Sequence, residues 1–223
     1  MHIPKIQENL NYVPFKIRMR YGETNLAVGT AFIYHHREGT HLVTNWHNVA
    51  GRNPKTKDTL SDFGNVPDNI AICIPIVQNS NEQPKMLQWK WKILNLYEDE
   101  GRTIPIWFQH PVHNENVDVV TIPMPGIDET ALMHSKDPAL DLDNIRLYPS
   151  LDVYVLGFPK GMSGGAHFPI WKRGTIATEP DINIEKLPKL YNGGRGYIMK
   201  LCQIFAYNFW PVIPVKGVEV GDE

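Results

Sequence analysis

The sequence predicts an all-β protein. Eighteen prolines and seventeen glycines punctuate its 223 residues, and these two residue types are the strongest local breakers of regular structure. Between them lie many short apolar runs, which is how barrels and sandwiches are written. A hydrophobic content of 42% suits a folded core, and the length fits one large all-β domain or two small ones that share a cleft.

The elements follow in order. Gly29-Thr30-Ala31-Phe32-Ile33-Tyr34 reads as a strand, Gly39 as part of a hairpin turn, and Leu42-Val43 as the returning strand. That strand runs into Thr44-Asn45-Trp46-His47-Asn48, where a short polar turn presents the His47 imidazole at the strand end. Asn53 to Asn69 is polar and broken by Gly and Pro, a loop running out from His47. Ile70 to Ile76 reads as a strand, and so does Leu87 to Leu94, whose alternation puts Trp89, Trp91 and Ile93 on one face. Those tryptophans are expected as barrel wall rather than as a ligand platform. Glu98-Asp99-Glu100-Gly101 is a solvated turn. Val117 to Ile122 is a further apolar strand, interrupted by Asp118, and Asp128 to Pro149 has little β pattern and reads as a connector.

Bulk properties narrow the function. A formal charge of −2, with Lys and Arg scattered, gives no electrostatic reason to expect nucleic acid. Two cysteines, Cys73 and Cys202, are too few for a disulfide framework. The first residues, Met-His-Ile-Pro-Lys, lack the apolar core of a signal peptide, and no 18-residue apolar run suggests a membrane span. The expected setting is therefore cytoplasmic and reduced. Two residues carry the chemistry. An imidazole ionises near neutral pH and on a rigid strand end is suited to general-base work, which points to His47. Asp118 sits among Val117, Val119, Val120 and Ile122, where an unpaired carboxylate is costly and pairing with the His ring would remove much of the cost.

The stretch Gly29-Thr30-Ala31-Phe32 through Leu42-Val43-Thr44-Asn45-Trp46-His47-Asn48-Val49 resembles the catalytic-His segment of trypsin-like serine proteases, closest to the bacterial type. Trp107 to Pro111 leading into Asn116 to Pro123 resembles the strand bearing the triad Asp. Val153 to Pro159 resembles the strand that opens the second barrel, and Phe168 to Pro180 the hairpin after it. The resemblance spans about residues 24–190. It implies the chymotrypsin fold, two antiparallel β-barrels with the active site between them: residues 1–126 as the first barrel, 127–150 as the connector, and 151–223 as a second barrel that diverges after about residue 190 and is incomplete. It implies a serine endopeptidase acting on peptide or protein substrates, without metal or organic cofactor, in which His47 is the general base and Asp118 fixes its tautomer.

The nucleophile does not fall into place. Ser163, in Gly161-Met162-Ser163-Gly164-Gly165, mimics the family's G-x-S-G word, but it precedes the Phe168–Gly174 segment that the family's nucleophile follows, and it reads as a loop residue. No serine lies beyond it, and Tyr191-Asn192-Gly193-Gly194-Arg195-Gly196-Tyr197 stands where the family carries its nucleophile. Cys202 is flanked by Leu201 and Gln203 rather than by the glycines an oxyanion hole uses, and reads as a buried structural thiol. Two accounts follow: a relative that has lost its nucleophile by divergence, frame change or truncation, or recruitment of Ser163 or Cys202 by a rearranged second barrel. A non-catalytic module that holds a peptide by strand addition, or a truncated gene product, is the alternative to an enzyme.

Overall fold

The computed structural model describes residues 9–36, 39–78, 86–124, 148–165, 167–177, 179 and 212–214. Their architecture is antiparallel β with little helix. A 3-10 turn, Asn9–Tyr12, leads into β1 (Pro14–Tyr21), β2 (Thr24–His36) and β3 (Gly39–Thr44), followed by a short helix α1 (Trp46–Ala50). Then come β4 (Asn69–Gln78), β5 (Met86–Asn95), β6 (Phe108–Gln109) and β7 (Val120–Pro123). These strands form one seven-stranded sheet in the order β5-β4-β1-β2-β3-β7-β6. Three later strands, β8 (Asp152–Gly157), β9 (Ile170–Thr175) and β10 (Val212–Pro214), form a second sheet in the order β10-β8-β9.

Strand periodicity explains the first sheet. In β1 the odd positions Phe15, Ile17 and Met19 are buried while Lys16, Arg18 and Arg20 face the other way. They meet Ile70, Ile72 and Ile74 of β4, Ala31 and Ile33 of β2, Leu42 of β3 and Val120 and Ile122 of β7 in one core. Each large side chain fully buried there contributes roughly 1.5–3 kcal/mol. Cys73 lies buried on β4, and burial pushes its thiol up to about 11. Among the described residues neither sheet closes on itself by strand pairing. The sheet does curl: a bridge joins Tyr97 to Pro105, and Ile106 N–H donates to the Leu96 carbonyl at 3.0 Å, linking the end of β5 to the approach to β6.

The Trp89–Trp91–Ile93 face is not core lining. Trp91 and Ile93 are exposed, and Arg18 holds its guanidinium 4.2 Å from the Trp91 ring centroid. Trp89 instead packs edge-on against Phe168 of the β8–β9 connection, with ring centroids 5.5 Å apart. The second sheet is anchored on this outer side of the first. Phe158 N–H donates to Thr30 Oγ1 at 3.1 Å, Trp171 Nε1 donates to Asn11 Oδ1 at 2.6 Å, and Lys16 Nζ donates to the Gly161 carbonyl. The solvated turn at Glu98–Gly101 is ordered by Asp99, whose carboxylate accepts the backbone N–H groups of Ile104 and Thr103; those bonds hold it below the usual carboxylate range.

Candidate functional site

His47 differs from the expectation in one respect: it lies in the first turn of α1, not in a polar turn at a strand end. Trp46, Val49 and Ala50 bury the inner side of that helix, so the chain gains a core contact by coiling directly after β3. Gly51 ends it in the left-handed region, at φ +61°, and its N–H donates to the His47 carbonyl at 2.9 Å. Two segments of the sequence are locked together beneath the helix. Thr44 Oγ1 donates to the Thr30 carbonyl at 2.9 Å, and Asn48 Nδ2 donates to Thr44 Oγ1 at 2.9 Å. A side chain at position 29 would collide with this arrangement, since a Cβ on Gly29 would stand 2.8 Å from Asn48 Nδ2.

Asp118 also differs from expectation in its placement. β7 begins only at Val120, and Asp118 lies in the buried approach to it. Its carbonyl is taken by the Asn45 side chain rather than by a strand ladder, with Nδ2 to O at 2.6 Å. The carboxylate closes on His47 twice. Oδ1 accepts the His47 backbone N–H at 2.9 Å, and Oδ2 meets His47 Nδ1 at 2.8 Å. A carboxylate oxygen accepts, so Nδ1 carries the hydrogen and Nε2 is the basic nitrogen of the neutral ring. The Asp118 side chain is 7% exposed and the His47 side chain 25%, so the carboxylate is shielded while the imidazole reaches the surface.

Among the described residues, Ser163 is not joined to this pair. Ser163 is exposed in the connection between β8 and β9, after a 3-10 turn at Pro159–Gly161. That connection is closed by Gly164 N–H to the Phe168 carbonyl at 2.9 Å and Phe168 N–H to the Gly165 carbonyl at 2.8 Å. Among the described residues no hydrogen bond joins the Ser163 hydroxyl to the His47 ring. Cys202, the Tyr191–Tyr197 stretch and the connector within 128–147 lie outside the described residues. Asn45 is the residue that reading the sequence missed. As one residue of an expected polar turn it carried no assigned role.

Close to the Asp118 segment, His110 is buried and its Nδ1 accepts the backbone N–H groups of Val112 (3.2 Å) and His113 (3.0 Å). Burial first, and the nearby His113 second, push this imidazole below the ordinary histidine value. The folded protein therefore holds a neutral ring that the unfolded chain protonates at about pH 6.5. The stability this group supplies is complete above that pH and is lost as pH falls toward the lower, folded value. Urea unfolding at pH 7.5 and pH 5.5 should show a smaller acid loss in His110→Asn, whose side-chain oxygen keeps both backbone bonds, than in the parent. Equal losses would remove His110 as a source of acid sensitivity.

No protein-family model matches the chain, and no curated protein matches it. Among the described residues no cluster of three or more His, Cys, Asp or Glu side chains could hold a metal ion, and no helix is long and apolar enough to cross a membrane.

Proposed function

We propose that this chain is a trypsin-like serine endopeptidase relative in which His47 is the general base, Asp118 its orienting carboxylate, and the nucleophile has been lost. The observation that carries the reading is the doubly bonded Asp118 carboxylate, which holds His47 Nδ1 at 2.8 Å and His47 N–H at 2.9 Å. An aspartate so placed fixes one tautomer and steadies the imidazolium that forms when Nε2 takes a proton. The curl of the first sheet and the docking of the second against β1 and β2 support two antiparallel barrels, the second incomplete, flanking a cleft. A cytoplasmic setting belongs to the same proposal.

What separates this chain from an active peptidase is the attacking group. The sequence has no serine beyond Ser163, and Ser163 precedes β9. With His47 and Asp118 alone, the remaining route is attack by water assisted by a general base. Loss of the nucleophile removes nearly all of a triad's rate contribution, because the three groups act as a unit. The function left to the cleft is to hold an extended peptide by backbone pairing. The test is turnover of a mixed peptide library by the purified protein beside His47→Ala. We expect no cleavage above the variant. Cleavage that His47→Ala abolishes would overturn the inactive reading and return Ser163 and Cys202 to candidacy as nucleophile.

A further inference from the structure

Asn45 occupies the N-cap position of α1, yet its side chain makes no capping hydrogen bond. At an N-cap an asparagine ordinarily turns its oxygen onto the helix's free N–H groups. Here the amide is turned the other way, into the protein, where the residue is 1% exposed. Its Nδ2 donates to the Asp118 carbonyl at 2.6 Å and to Asp118 Oδ2 at 3.3 Å. Its Oδ1 is buried with no partner among the described residues. Burying an unbonded amide oxygen is unfavourable, and turning back to cap the helix would relieve it. The side chain forgoes that relief to grip one residue at two points.

We infer that Asn45 is a positioning residue for the His47–Asp118 pair, an inference that rests on the general-base reading of that pair. An amide NH₂ has two hydrogens, and bridging a residue's own carbonyl and carboxylate fixes the side-chain torsions between them. For Asp118 this matters because the oxygen that Asn45 touches, Oδ2, is the one that meets His47 Nδ1. The other oxygen is held by the His47 backbone N–H. The carboxylate plane is thus defined from both ends, and His47 faces an acceptor already aligned with its ring.

The experiment reads the His47 Nδ1–H by proton NMR, assigned by its loss in His47→Gln, in the parent, Asn45→Ala and Asn45→Ser, with melting followed in parallel. A protected low-field Nδ1–H is expected in the parent. Asn45→Ala should exchange it with solvent roughly five- to tenfold faster, the factor that corresponds to losing about one hydrogen bond of alignment. Asn45→Ser, which keeps one donor, should recover part of the protection. A merely structural role would lower the melting temperature of Asn45→Ala while leaving the exchange rate of the folded protein unchanged, and that result overturns the inference. A parent with no protected Nδ1–H overturns the pair itself and the inference with it, whereas a protected parent unaffected by Asn45→Ala leaves the pair standing and sinks only the role of Asn45.

Discussion

Replacing Asp118 by alanine is expected to destabilise the protein by about 2–4 kcal/mol, more than any other single polar truncation near the site. The estimate follows from what is stranded. The carboxylate accepts the His47 backbone N–H at 2.9 Å and His47 Nδ1 at 2.8 Å, and takes a longer bond from Asn45 at 3.3 Å. Each buried donor left without an acceptor costs roughly 1–3 kcal/mol. The imidazole itself, a quarter exposed, recovers a bond from water, so the full sum is not reached. Asp118→Asn separates geometry from charge. Its oxygen can still accept the His47 N–H, but its amide nitrogen then confronts Nδ1–H, and the ring must shift its hydrogen to Nε2. The expected result is a much smaller stability loss than for alanine together with a reversed His47 tautomer, read from the imidazole nitrogen shifts. If alanine and asparagine destabilise equally and the tautomer is unchanged in asparagine, the carboxylate is not what orients His47.

Much of this arrangement was legible in the sequence, and for identifiable reasons. The glycines and prolines between short apolar runs, and the alternation over Leu87 to Leu94, are local signals, and they marked an all-β chain, although β1 was not among the strands they marked. His47 and Asp118 stood out because one is a base presented at a strand end and the other interrupts an apolar run; the structure brings them to 2.8 Å. What the sequence did not disclose depends on contacts across the chain. Whether residues 46–50 coil or turn is decided by burial of Trp46 and Val49 against strands far away in sequence. The face that carries Trp91 alternates correctly, but alternation does not say which side is the core; the pairing of β4 with β5 and the stacking of Arg18 turned it outward. Asn45 escaped notice for the same reason, since its partner lies 73 residues away.

The second large effect is expected at Gly51, where alanine should cost about 2–4 kcal/mol. The position combines two separate penalties. Its φ of +61° lies in the left-handed region, where a side chain costs roughly 1–2 kcal/mol. A Cβ there would also stand 2.5 Å from Pro67 Cδ, a ring atom on the segment that leads into β4, so the backbone must give way. Overpacking of that kind typically adds about 1–3 kcal/mol. Gly64 supplies the control: its φ of +71° imposes the same backbone penalty, but nothing lies within 4 Å of an added Cβ. Urea unfolding should therefore show Gly51→Ala losing at least about 1 kcal/mol more than Gly64→Ala. The excess should also reach the site, because Gly51 N–H bonds the His47 carbonyl and the displaced residue must pull on the turn that carries the imidazole. Displaced His47 ring resonances in Gly51→Ala, with unchanged ones in Gly64→Ala, would bear this out. Equal stability losses in the two variants would mean that Pro67 yields freely and that Gly51 is required for its backbone angle alone.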